Sequence, residues 1–227
     1  MLNRAYLRPS IAFLGIIPLS VLMKVKVPAD WAVPYFKKPI LAFEFAKSQL
    51  DLDLVFRTTQ QHQFIAQLNQ LNYLDFLFMG VYGSFLWLFL RAVAPKMPVW
   101  LNRLLTWMVP LIICFDVMEN LQLFEIARHI TAGNEHPLYM LMVFTWLKWG
   151  CLAFIFCGLS AFWLNGPWLF RPLGLIGIVN IGFGLMALCI GTYWYERFTS
   201  LITISFAGAF FYSLRQLFFS THSGKWY

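Results

Sequence analysis

Asp116, Glu119 and Asn120 lie in the stretch CFDVMENLQLF, at the far end of a long apolar run. Their i, i+3, i+4 spacing puts them on one helical face. An ionised side chain near the middle of a membrane helix costs about 2.5–3.5 kcal/mol, so such groups turn inward and pair. Asp116 falls about eight residues, or roughly 12 Å, inside the end of its run. Two neighbouring apolar runs bring further polar groups to a similar depth. Asp75 stands near the same membrane side of the second run, with Tyr82 two helical turns deeper on its face. Lys148 stands about nine residues into the fourth run, where the antiparallel chain direction returns it to that side.

Lys148 is the only basic residue in the interior of a predicted span, the others standing within a few residues of span ends, so its natural partners are Asp116 and Glu119. One ammonium cannot neutralise the three carboxylates of Asp75, Asp116 and Glu119. An acid must keep its proton, or water, a cation or a ligand must complete the balance. A carboxylate that keeps its proton is a candidate general acid or base. Asp116, Glu119 and Lys148 are therefore the expected catalytic groups, and Asp75, Tyr82, Asn120 and Glu44 the expected ligand-binding groups. Glu44, in ILAFEFAK, joins them if its segment hangs over the bundle mouth; the commoner meaning of such a residue is the wet side of an amphipathic helix. A purely structural meaning competes throughout. Buried Lys–Asp pairs and Asn side chains tie helices together, and Asp75 and Glu119 are near enough to span ends to snorkel into headgroups.

The elements that position these groups follow from composition. The chain has 227 residues, 60% of them hydrophobic, 19% aromatic and only 12% charged. A soluble domain carries roughly 25% charged residues, so most of this surface cannot face water. The expected fold class is all-α, a polytopic integral membrane helical bundle forming a single domain. About six spans are predicted, over residues 10–27, 71–93, 99–124, 139–164, 169–191 and 199–219, each near the ~20 residues that cross a bilayer. APKMP, TAGNEHP and NGPW supply the turn chemistry between them. The sequence TYWYERF between the last two spans predicts a tight hairpin. Residues 28–70 are longer than a helical connection needs and mix large apolar residues with charges. They predict a structured loop of amphipathic helices that lies on the membrane surface or caps the bundle. A polar helix feeds the second span, with Thr58 or Thr59 as its cap.

The net charge of +7 fits basic residues held in cytoplasmic turns better than nucleic-acid binding, which is not expected. Arg4, Arg8, Arg91, Lys96, Arg103, Arg171, Arg215 and Lys225 fall in the termini and in two turns of one side, which hold no Asp or Glu. Both termini are therefore expected in the cytoplasm and the 28–70 loop outside it. The apolar N-terminal run has no small-x-small cleavage site after it and reads as an uncleaved first span. Small size and the lack of eukaryotic targeting features point to a bacterial inner membrane.

Other chemistry is sparse. Cys114, Cys151, Cys157 and Cys189 form no C-x-x-C pair and read as small buried hydrophobes. His62, His129 and His136 share the outer side but lack H-x-x-x-H or H-E-x-x-H spacing, so they read as solvated loop groups and no metal site is expected. No span holds a histidine for axial haem ligation. No cofactor is signalled, and there is no phosphate loop, nucleophile elbow or dinucleotide fingerprint. Asn180, among Gly174, Gly177, Gly182 and Gly184, reads as a packing face. Trp163, Trp168, Trp194 and Tyr195 fall at span ends and read as interfacial anchors.

Three functions fit these residues. The first is binding or processing of a lipid-like or apolar small molecule in an outer-leaflet cavity, with membrane lipids as partners. Its walls would draw on the 24 Phe residues. The second is proton- or cation-coupled transport, which requires a polar route to the cytoplasmic side. The third is an accessory subunit of a larger membrane complex, which requires a packed site and a partner-facing surface.

Overall fold

The computed structural model describes residues 3–219. Ten α-helices follow one another: α1 (Arg4–Leu14), α2 (Ile16–Leu22), α3 (Pro39–Glu44), α4 (Gln49–Phe56), α5 (Gln61–Val93), α6 (Val99–Thr131), α7 (Tyr139–Gly158), α8 (Ser160–Leu164), α9 (Arg171–Ile190) and α10 (Tyr195–Phe219). There is no strand among the described residues. Six stretches are long and apolar enough to cross a membrane: Arg4–Leu22, Gln61–Lys96, Val99–Thr131, Tyr139–Leu164, Trp168–Ile190 and Tyr195–Phe219. Their outer faces carry large exposed apolar side chains, among them Leu111, Leu185 and Phe211. A water-facing helix would show a polar stripe there.

The first span runs five to six residues earlier than the apolar run implies. Asn3 accepts from the Ala5 N–H and caps α1, so the helix starts at Arg4 rather than near Ser10 and is over by Leu22. A short break at Gly15 divides it, where a Cβ would stand 3.1 Å from Val81 of α5. The first half, α1, leans on both α5 and α10; the second, α2, follows α5. The fourth span also breaks, at Leu159 between α7 and α8.

Helices α5 and α6 have 33 residues each, or about 50 Å. That exceeds the ~30 Å of bilayer hydrocarbon. The polar helix before the second span is thus one rod with it, starting at Gln61. The expected threonine cap does not form. Gln60 holds the cap position without a side-chain bond. The Thr58 hydroxyl and the Thr59 N–H instead donate to Asp30, both at 2.7 Å. These two donors hold the exposed Asp30 carboxyl down at about 2.

The long loop is built, but α3 is not a surface helix. Leu41, Ala42, Phe43, Glu44, Phe45 and Ala46 are all buried, and α3 wedges against α6 and α7. A short helix covered on every side needs no amphipathic stripe. Ring contacts fasten it: Phe43 meets Phe56 edge-on with centroids 4.9 Å apart, and Phe45 stacks on Tyr195 at 4.3 Å. Helix α4 starts on a capping box in which Ser48 and Asp51 exchange bonds.

Three smaller expectations change. Trp163 and Tyr195 are fully buried core residues rather than interfacial anchors, whereas Trp168 is exposed. Cys114 and Cys189 are exposed on apolar helices rather than buried. Asn180 does tie helices, donating to Ser205 across the α9–α10 contact at 3.1 Å. Lys225 lies outside the described residues.

Candidate functional site: a carboxylate-rich cavity

The i, i+3, i+4 row on α6 does face inward: Asp116, Glu119 and Asn120 are each buried, Glu119 completely. Lys148 of α7 arrives from the facing helix. Its Nζ stands 3.1 Å from Asp116 Oδ1 and 3.5 Å from Glu44 Oε2, and it is in direct contact with Glu119 Oε2. Burying a charge is tolerable only with such pairing. The same ammonium lies 5.1 Å from the centre of the Trp149 ring, within cation–π range.

The three carboxylates paired with Lys148 each have a second donor, and Asp75 has a donor of its own. Tyr82 of α5 donates to Asp116 Oδ2 at 2.6 Å. Thr145 of α7 donates to Glu119 Oε1 at 2.6 Å. The Trp149 indole N–H donates to Glu44 Oε2 at 3.2 Å. Asn120 donates to Asp75 Oδ2 at 2.8 Å. The predicted site residues therefore form two bonded groups, Glu44, Tyr82, Asp116, Glu119 and Lys148 in one and Asp75 with Asn120 in the other, which adjacent positions on α6 bring side by side. Glu44 belongs to the first group rather than to a solvated helix face, because α3 drives it between α6 and α7. Burial pushes the Glu44 carboxyl up, opposed by the Lys148 ammonium and reinforced by Asp116.

The charge surplus is larger than three carboxylates imply: Glu44, Asp116 and Glu119 share one buried ammonium, and Asp75 is a fourth acid beside them. Asp75, half-buried, is paired with an amide rather than a cation. Asn72, completely buried one turn before it, has neither its Oδ1 nor its Nδ2 hydrogen-bonded.

These groups stand around a cavity of about 400 Å³. Glu44, Asn72, Asp75, Tyr82, Asp116, Asn120 and Lys148 supply its polar wall, and the exposed Lys38 adds a second cation at its edge, so three carboxylates there face two lysines. Ile16, Phe78, Leu152, Ile202 and Phe206 supply its apolar wall. Glu119 is not on the wall; it stands behind Lys148, held by Thr145. Its geometry is that of a positioning group. Ser20 of α2 and Thr203 of α10, both exposed, stand at the rim. The cavity thus reaches the surface beside α2, the half of the first span that follows α5 while α1 leans on α10.

Three partners escaped the sequence reading: Asn72, Thr145 and Trp149. A signal was present. Thr145, Lys148 and Trp149 repeat the i, i+3, i+4 spacing of the α6 row, and Asn72 stands i−3 from Asp75. Of the histidines, His129 and His136 meet Glu125 at the loop end of α6, while His62 is not part of that group. Comparison with protein-family models, with characterised proteins and with solved structures finds no match for this chain.

Proposed function

We propose that the protein is an integral membrane protein that binds, and acts on, a lipid-like molecule taken from the bilayer into the carboxylate-rich cavity. The carrying observation is one cavity with an apolar wall and a polar wall that holds more carboxylates than cations. Its volume, about 400 Å³, is within the range of small-molecule sites. In this reading the apolar tail rests on Phe78, Leu152, Ile202 and Phe206. The polar end meets Asp75, Asn72 and Asn120, and the negative surplus favours a headgroup that carries positive charge or hydrogen-bond donors. Asp116 and Lys148 are the groups placed to exchange a proton with the bound molecule. Glu119 and Thr145 hold Lys148 in position.

The charge distribution supports cytoplasmic termini, which puts the long loop outside the cytoplasm and the cavity in the outer half of the bilayer; small size and the lack of eukaryotic targeting features support a bacterial inner membrane. Through-transport has less support. Toward the other side, the bundle centre is filled by Phe85, Leu86, Phe89, Val109, Ile112 and Phe156, all buried and apolar. An accessory-subunit role would leave the polar cluster as helix glue, and a cavity beside it would have no purpose.

The test is native mass spectrometry of protein released from lipid vesicles. Wild type is expected to retain one amphiphile, and Ser20→Trp, at the exposed rim, to lose it while remaining folded. A wild-type chain that retains nothing, or retention unchanged in Ser20→Trp and in Asp75→Asn, overturns the reading.

A further inference from the structure

The loop end of α6 carries a second cluster, on the face of the helix opposite the cavity row. Glu125 and His129 are i, i+4 on the last turns of α6, and His136 returns to them after the turn at Gly133, whose φ is +71°. One ligand atom from each of the three lies within 4.8 Å of the others, and all three residues are half-buried. We propose that Glu125, His129 and His136 form a binding site for a divalent transition-metal ion of the zinc type, which clamps the α6–α7 turn to α6.

The donor set is a known kind: two imidazoles and one carboxylate bind zinc with a fourth position left to water. Ligand atoms around tetrahedral zinc stand about 3.3 Å apart. Glu125 Oε1 and His129 Nε2 already stand at 3.3 Å. The two imidazole rings are 4.8 Å apart at their centres, so a small closure of the His136 loop completes the set.

The second nitrogen of His136 agrees with this. His136 Nδ1 is 2.9 Å from the Pro137 carbonyl oxygen. A carbonyl only accepts, so Nδ1 carries the proton and Nε2 keeps its lone pair. A ligating histidine is commonly fixed through its other nitrogen in this way. His129 Nδ1 is buried without a hydrogen-bond partner; with Nε2 on the metal it would carry a proton with no acceptor, a cost that binding has to offset. Arg128 opposes the metal: its guanidinium holds Glu125 Oε1 at 2.6 Å. Binding has to draw the carboxylate off that arginine or use its other oxygen. Mg²⁺, which prefers oxygen ligands and sheds water reluctantly, does not suit a site with two imidazoles.

The test is Zn²⁺ titration of the full chain in detergent, after removal of any purification histidines, followed by calorimetry and thermal unfolding. One Zn²⁺ per chain is expected, with a rise in Tm that Mg²⁺ does not reproduce. His129→Ala and His136→Ala are each expected to weaken binding about tenfold or more. Arg128→Gln is expected to bind at least as tightly as wild type. Titrations of wild type and of the His129→Ala/His136→Ala double variant that superimpose would overturn the site. So would a wild-type chain with no saturable Zn²⁺ uptake. Both readouts are independent of amphiphile retention in the cavity.

Discussion

Lys148 is where the chain concentrates its electrostatic risk. It stabilises Asp116, Glu119 and Glu44 at once, so its removal strands three carboxylates in a dehydrated site. Breaking a buried pair from one side typically costs about 3–5 kcal/mol. Lys148→Met is therefore expected to lower stability by that order, read by thermal unfolding in detergent. Asp116→Asn/Lys148→Met should recover part of the loss, because the second change removes a stranded charge. A double variant no more stable than the single one would mean that Asp116 and Lys148 do not interact in the way described. Asp30 shows the opposite situation, an exposed carboxylate fixed by two donors from the start of the polar helix. Its folded value, about 2, lies below the ordinary 3.8. The tie is thus fully present above pH 4 and is lost as pH falls through about 2. Titration of the Asp30 carboxyl by NMR should show this depressed midpoint, and a midpoint near the ordinary value would mean the Thr58 and Thr59 bonds are not formed.

Helices bring these residues together through close approaches that small side chains permit. At Gly177 of α9, an added Cβ would stand 2.4 Å from both the Phe156 carbonyl oxygen and the Ser160 hydroxyl of the α7–α8 segment. Backbone cannot withdraw as a flexible side chain can, and overpacking costs about 1–3 kcal/mol. Gly177→Ala is expected to destabilise by that order, whereas Gly182→Ala, with nothing within 4 Å of its Cβ, should be near neutral. Chemical unfolding of the two variants side by side checks the contrast. The element scale is also where sequence was most and least informative. Apolar runs located six spans because membrane helices must satisfy their own backbone groups, which makes hydropathy a direct physical signal. The row Asp116, Glu119 and Asn120 was legible for the same reason, since helical spacing fixes a shared face. The placement of α3 was not. Its residues carry no periodicity over six positions, and only tertiary contact with α6 and α7 decides that Glu44 is buried. The approach of His136 to Glu125 was equally hidden, because the two lie across a turn whose path sequence spacing does not encode.

For the molecule as a whole, the topology proposed above has six crossings with both ends on one side of the membrane, and the charge distribution is the argument for the cytoplasmic side. Arg91, Lys96 and Arg103 crowd one short turn and Arg171 another, while Arg128 is the basic residue at the α6–α7 turn. Short loops near span ends carry most of the orienting power, so these residues should outweigh the lysines spread through the long loop. The orientation bears on the proposed function, because it decides which leaflet would supply the proposed ligand. Two exposed positions report it: Leu50 on α4 and Val99 at the start of α6, which are 68% and 74% exposed. In a chain with its four native cysteines replaced, Leu50→Cys should react with an impermeant maleimide on intact cells. Val99→Cys should react only after the membrane is opened. The reverse pattern would move the rim at Ser20 and Thr203 to the inner half of the bilayer. The cavity and its carboxylates would be unchanged, but the amphiphile would then be drawn from the cytoplasmic leaflet, where anionic lipids set a negative surface potential. A carboxylate-rich site facing that leaflet would repel the commonest headgroups there, so a positively charged or zwitterionic ligand would become a stricter requirement.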